Sequence, residues 1–171
     1  SENLKTQANI NKVDKWTKEK HMKLNIKKTK NLVVNFSKKH QFSTEIKLGG
    51  QIVETVNQTK LLGTIITNDL SWNKNTDFIV KETNKRMRLL HRASKFTSNI
   101  SDLKQIYMLQ IRSKLDQSAV VWHSSLTKKN SQDLERIQKS ALKCILGNRY
   151  VTYEDALNKL QLQSLGERRG E

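Results

Sequence analysis

The spacing of apolar positions changes character near residue 75. Over residues 3–22, Leu4, Ala8, Val13 and Trp16, with the stem of Lys20, fall on a rough helical stripe, which predicts a basic amphipathic helix. A polar loop follows, and then short runs of β-type composition at residues 31–36, 44–48, 51–56 and 60–67. Gly49-Gly50 between the second and third runs reads as a two-residue hairpin turn, so this part predicts a small antiparallel sheet.

From Asn75 the apolar period becomes 3.6, and the chain has no proline to interrupt long helices. Over residues 78–97, Ile79, Met87, Leu90, Ala93 and Phe96 take one side of a helix, while Lys81, Lys85, Arg88, Arg92 and Lys95 repeat along the other. Ser101 is placed to cap a helix on which Leu103, Tyr107, Ile111 and Leu115 step by four, ending before residues 119–122. Asn130 or Ser131 opens the next helix, with Leu134, Ile137, Ala141, Leu142 and Ile145 inward and Gly147 as its stop. Thr152 with Asp155 matches a capping box that starts a last helix through Leu160. The expected fold class is α+β: an N-terminal helix and small antiparallel sheet in residues 1–73, then an all-helical bundle in residues 74–171.

Charge narrows the class of partner. The formal net charge is +16 and the pI about 10.0, with eleven lysines against Glu2, Asp14 and Glu19 in residues 1–40, while residues 41–80 are nearly neutral. Clustered Lys and Arg attract phosphates through counterion release, so nucleic acid is the first expectation. An anionic membrane surface is the competing polyanion, less favoured because it needs an apolar helix face releasable from its core. No run of about 18 apolar residues is present and no apolar segment follows a basic start, which argues against a spanning helix or a secretory signal. The first residue is Ser rather than Met, which suggests an excised fragment. Cys144 is the single cysteine, and His21, His40, His91 and His123 lie far apart, so neither a disulfide nor a zinc site is expected.

Three blocks of residues carry a resemblance. Trp16 followed by Leu24-Asn25-Ile26-Lys27-Lys28-Thr29 is similar to a W…LNxxKT segment. Lys60-Leu61-Leu62-Gly63-Thr64-Ile65-Ile66 with Leu70-Ser71-Trp72 is similar to KxLGxxI…LxW. The third block comprises Ile111-Arg112-Ser113, Val121-Trp122-His123, residues 134–139, Ala141-Leu142-Lys143 and Leu146-Gly147, continued by Tyr153-Glu154, Ala156-Leu157, Leu165 and Arg168-Arg169. In this order they resemble the region after the polymerase active site of LINE-type, non-LTR retrotransposon reverse transcriptases, above all jockey-like and CR1-like ones. Leu61 replaces a usual aromatic and Val120 a frequent proline.

The resemblance implies the end of a palm, with its D and E motifs, followed by a helical thumb. It implies an RNA-directed DNA polymerase working with Mg²⁺, located in the nucleus, whose catalytic aspartate pair precedes the first block. No adjacent Asp-Asp occurs in the chain, and the adjacent acids Glu154-Asp155 fall in the capping box. The chain alone is therefore expected to be inactive, to need no cofactor of its own, and to bind RNA–DNA or DNA duplex through phosphates beside the rest of the polymerase. A stand-alone or co-opted nucleic-acid-binding module, or an inactive transposon remnant, is the alternative.

Lys28 matches the motif D lysine, a general acid or phosphate anchor in the family; equally, it is one more solvated cation beside Lys20, Lys23, Lys27 and Lys30. Leu62 and Gly63 match the primer grip, where glycine permits close backbone approach, or form an ordinary hairpin turn. The row Lys81, Lys85, Arg88, Arg92 and Lys95 has no acid between its members on that side and reads as a phosphate track, or as a solvated face. Glu82 and Arg86 are spaced for a structural pair. Trp16, Trp72 and Trp122 read as core residues, with base stacking the alternative. Cys144 reads as a small buried hydrophobe.

Overall fold

The structure, a computed structural model, describes residues 2–36 and 45–170. It is of mixed α and β type, with helix predominating over a few short strands. The chain divides into two compact units: Ser1–Leu61 with Ile65–Ser71, and Leu62–Thr64 with Trp72–Glu171.

The first unit begins with α1, Glu2–Glu19. Among the described residues, six strands pair as three separate two-stranded sheets rather than one antiparallel sheet. β1 (Lys30–Asn31) runs parallel to β4 (Glu54–Thr55), whereas β2 (Lys47–Leu48) and β3 (Gln51–Ile52) are antiparallel. Gly49 and Gly50 join the latter pair with φ of +55° and +80°, the two left-handed residues that this hairpin turn demands. The expected strand over residues 31–36 pairs only at its first residue, and Thr44 of the expected 44–48 strand lies outside the described residues. The expected strand at 60–67 is instead broken at Leu62-Gly63, giving β5 (Gln58–Leu61) and β6 (Thr64–Thr67) as a hairpin.

Ile46, Leu48 and Val53 are the buried core of this unit, with Ile10, Leu24 and Ile26 packed against them. So small a core leaves much apolar surface in water: Val13, Trp16, Met22, Phe36, Ile52 and Leu61 are exposed. Trp16 is 53% exposed, which corrects its expected place in a core. Beside α1 an apolar cleft of about 680 Å³ is lined by Ile10, Val13, Leu24, Ile46, Leu48 and Leu61 among others.

The second unit is helical: α2 (Asn73–Phe96), α3 (Ile100–Ile106), a π-helical stretch Tyr107–Arg112, α4 (Ser113–Leu115), α5 (Ala119–Trp122), α6 (Lys128–Leu146), α7 (Tyr153–Leu160) and α8 (Leu165–Arg169). Its core is extensive, running from Trp72 and Ile79 through Trp122 and Leu142 to Leu165.

Leu103, Tyr107, Ile111 and Leu115 are all 2% exposed or less. Steps of four would drift by roughly 40° each on an ideal α-helix. The wider π-helical turns absorb that drift and keep the whole row inward. Two of the caps lie two to four residues before the expected positions. Asn99 rather than Ser101 caps α3, accepting from the Ser101 amide, and Thr127 rather than Asn130 or Ser131 caps α6, accepting from the Asn130 amide at 3.2 Å. Thr152 caps α7 as expected, and Gly147, at φ +51°, ends α6.

Candidate nucleic-acid interface

α2 owes its orientation to one apolar row. Ile79, Thr83, Met87 and Leu90 are buried, and the Thr83 hydroxyl donates to the Ile79 carbonyl, so a polar side chain is accommodated inside. On the opposite side Lys81, Lys85, Arg88, Arg92 and Lys95 are all exposed. The row is not free of acid: Glu82 reaches Lys85 at 2.6 Å, while Arg86 donates to the Gln110 carbonyl at 2.8 Å. Phe96, expected on the apolar side, is 90% exposed. The helix has completed its contact with the core by then, Ala93 being only partly buried.

The basic segment of the first unit has its own local architecture. α1 ends at Glu19, and Lys20, Lys23, Lys27, Lys28 and Lys30 are exposed by residue. Between them residues 24–29 form a tight turn. The Asn25 side chain accepts from the Lys28 amide at 3.1 Å, and the Thr29 hydroxyl donates to the Asn25 carbonyl at 2.9 Å. Leu24 and Ile26 face the small core, so the LNxxKT pattern is a turn that directs Lys27 and Lys28 outward. Lys30 is engaged with Glu54.

Leu62 and Gly63 form the tip of the β5–β6 hairpin with φ of +48° and +88°. A left-handed leucine costs on the order of 1–2 kcal/mol, yet this one is 87% exposed. Gln117 donates to the Leu62 carbonyl at 3.2 Å, and a Cβ on Gly63 would fall 2.4 Å from that amide nitrogen. Glycine thus serves both the turn and the Gln117 contact.

The third motif block converges on a feature that periodicity alone did not reveal, a polar network inside the helical unit. Gln138, fully buried, accepts from the Tyr107 hydroxyl at 2.6 Å and from Arg112, and donates to Tyr153 at 2.7 Å and to the Gln163 carbonyl at 3.0 Å. Arg112, 3% exposed, also reaches Asp116 at 3.2 Å and the Gln163 carbonyl at 3.1 Å. Arg168 meets the same carboxylate at 3.1 Å, and Arg169 lies 3.7 Å from it, donates to the Leu115 carbonyl at 2.8 Å and stacks over Trp122 at 5.0 Å. Tyr153 donates to Glu135, whose carboxylate also takes the Leu165 amide at 3.1 Å.

Burial pushes the Tyr107 hydroxyl up to about 12. Burial, and then the neighbouring Glu135 carboxylate, push Tyr153 upward as well. For Arg112, burial opposes its charge, but the Tyr107 hydroxyl and the Asp116 carboxylate outweigh that and raise it. These residues hold α6, α7 and α8 to the π-helical stretch; they are structural. The signal was present in the sequence, because Gln138 and Arg112 interrupt otherwise apolar faces, and a buried polar residue requires partners.

Trp72 and Trp122 are buried, as expected, and Trp122 donates its indole N–H to the Gln117 carbonyl at 3.1 Å. Cys144 is partly buried and contacts the Ser94 hydroxyl at 3.5 Å. His40 lies outside the described residues. Glu154 and Asp155 open α7, with Asp155 engaged by Lys159 at 2.8 Å. Among the described residues no group of three or more His, Cys, Asp or Glu converges, and no helix is long and apolar enough to cross a membrane. No family model matches the chain, and none of the curated proteins or solved structures compared with it is similar.

Proposed function

We propose that this chain grips nucleic-acid duplexes through their phosphates, as the palm-end and thumb portion of a non-LTR retrotransposon reverse transcriptase. The observation that carries the grip is the outer face of α2, where five exposed cations lie along one 24-residue helix whose opposite side is anchored in the core. A helix face of this kind matches phosphates rather than base edges, so recognition is independent of sequence. The polymerase assignment rests on the three motif blocks and on their residues' forming the tight turn, the hairpin tip and the buried network just described.

In this reading Lys20, Lys23, Lys27, Lys28 and Lys30 add phosphate contacts, and the exposed, left-handed Leu62 with Gly63 presents backbone to a primer strand. The partners are an RNA–DNA or DNA duplex and the rest of the polymerase, in the nucleus. Catalytic Mg²⁺ belongs to carboxylates other than those of this chain, which contributes grip and no chemistry. The small core and apolar cleft of the first unit favour its completion by further polymerase structure. The self-contained core of the second unit favours the other reading, a stand-alone nucleic-acid-binding module.

Both readings require duplex binding. Titration of the purified chain against RNA–DNA and DNA duplexes across a salt series is expected to give similar affinities and a steep negative slope of log K against log salt. A slope near zero, or a strong preference for one base sequence, would overturn the proposal.

A further inference from the structure

Phe96 ends α2 at 90% exposure, beside the last two cations of the outer row. At 3.6 residues per turn it stands about 40° around the helix from Arg92 and one residue beyond Lys95. The helix is closed just past it: the Thr97 amide donates to the Ala93 carbonyl at 3.0 Å, and the Asn99 amide to the Thr97 hydroxyl at 3.1 Å. Residues 83–101 contain Lys85, Arg86, Arg88, Arg92 and Lys95 and no Asp or Glu.

We propose that Phe96 is a stacking platform for an unpaired nucleobase at the end of a duplex whose backbone follows the α2 cations; this rests on the reading of that row as a phosphate track. A single exposed phenyl ring needs no partner by itself, but one set beside a row of cations offers a flat π-face to a partner that is both anionic and aromatic. Nucleic acid supplies that face and the negative charge together, with a base carried on the same backbone that Arg92 and Lys95 would hold. Within a duplex both faces of a base are covered by its neighbours, and the outer face of a blunt end points along the duplex axis, away from the backbone that the cations would hold, so only a single-stranded base can turn its face to the ring. Stacking reads no base edges, so the site takes any base.

The test uses the full chain and fluorescence anisotropy with three probes: a blunt DNA duplex, the same duplex with a single-stranded tail, and the same duplex with an abasic tail that keeps the phosphates. The tailed probe is expected to bind about ten-fold more tightly than either other probe, the weight of one stacked base. Phe96→Ala and Phe96→Leu should abolish that gain and leave blunt-duplex affinity and its salt slope unchanged, while Phe96→Trp should keep it. A gain that survives in Phe96→Ala, or that appears equally on the abasic tail, overturns the proposal. If Phe96→Ala binds every probe as the wild type does, the ring takes no part in binding and the proposal is overturned. Failure of the wild type to bind the blunt duplex would defeat the phosphate track and the platform with it, whereas intact blunt-duplex binding without a tail preference defeats the platform alone.

Discussion

Gln138 satisfies four groups from three directions: the Tyr107 and Tyr153 hydroxyls, the Arg112 guanidinium and the Gln163 carbonyl. A buried donor or acceptor left without a partner costs on the order of 1–3 kcal/mol, so the network is stable only as a whole. It also makes the fold sensitive to base. Tyr107 is raised from 10.0 to about 12 by burial, and Tyr153 is raised by burial and by Glu135. Above the ordinary tyrosine value the folded chain therefore holds protons that the unfolded chain has lost. Stability is fully present below pH about 10 and declines as the pH rises toward about 12. In a Tyr150→Phe background, tyrosinate absorbance should report only these two groups and should appear together with unfolding in that window. Tyrosinate forming near pH 10 with the fold intact would contradict the assignment.

At the level of elements, sequence signals were clearest where one local rule decides the structure. Gly49-Gly50 gave the hairpin because both turn residues need positive φ, and Gly147 gave the end of α6 for a related reason. The inward rows of α6 and of the Leu103–Leu115 segment were legible because each is repeated over several turns. Residues 31–36 and 60–67 were not legible as they fold, since β-type composition does not specify a partner strand or a break at Leu62-Gly63. Phe96 fits the helical period but lies past the end of the core, which periodicity does not locate. Gln138 and Arg112 stand out as polar residues on apolar faces, but their partners do not, since these come from distant segments such as Gln163, and Asp116 is met in turn by Arg168. On α2 the two faces should separate experimentally. Leu90, fully buried, anchors the helix, and Leu90→Ala is expected to cost about 2–5 kcal/mol in denaturant unfolding while leaving the salt slope of binding unchanged. A cost below about 1 kcal/mol would mean that α2 is not held by this face.

Across the whole molecule, the charge of +16 is spread over two units of unequal self-sufficiency. Among the described residues the first combines a small buried core of Ile46, Leu48 and Val53 with a dense run of lysines, and the second carries its cations on a helix fixed by an extensive core. General basicity draws any polyanion, whereas a row of cations on one helix face can meet several phosphates of one backbone at once. The distinction is measurable, because exposed Lys and Arg can be neutralised at little cost to the fold, typically under about 0.5 kcal/mol each. Replacing Lys85, Arg88 and Arg92 together by Gln removes part of the α2 row and leaves Lys20, Lys23, Lys27, Lys28 and Lys30 in place. The decisive measurement is the salt dependence of duplex binding by this triple variant beside the wild type. A grip centred on α2 requires weaker binding and a slope smaller by roughly one unit for each phosphate no longer neutralised, with unfolding unchanged. Wild-type affinity and slope in the variant would show that α2 presents only a solvated face and that the duplex is held elsewhere.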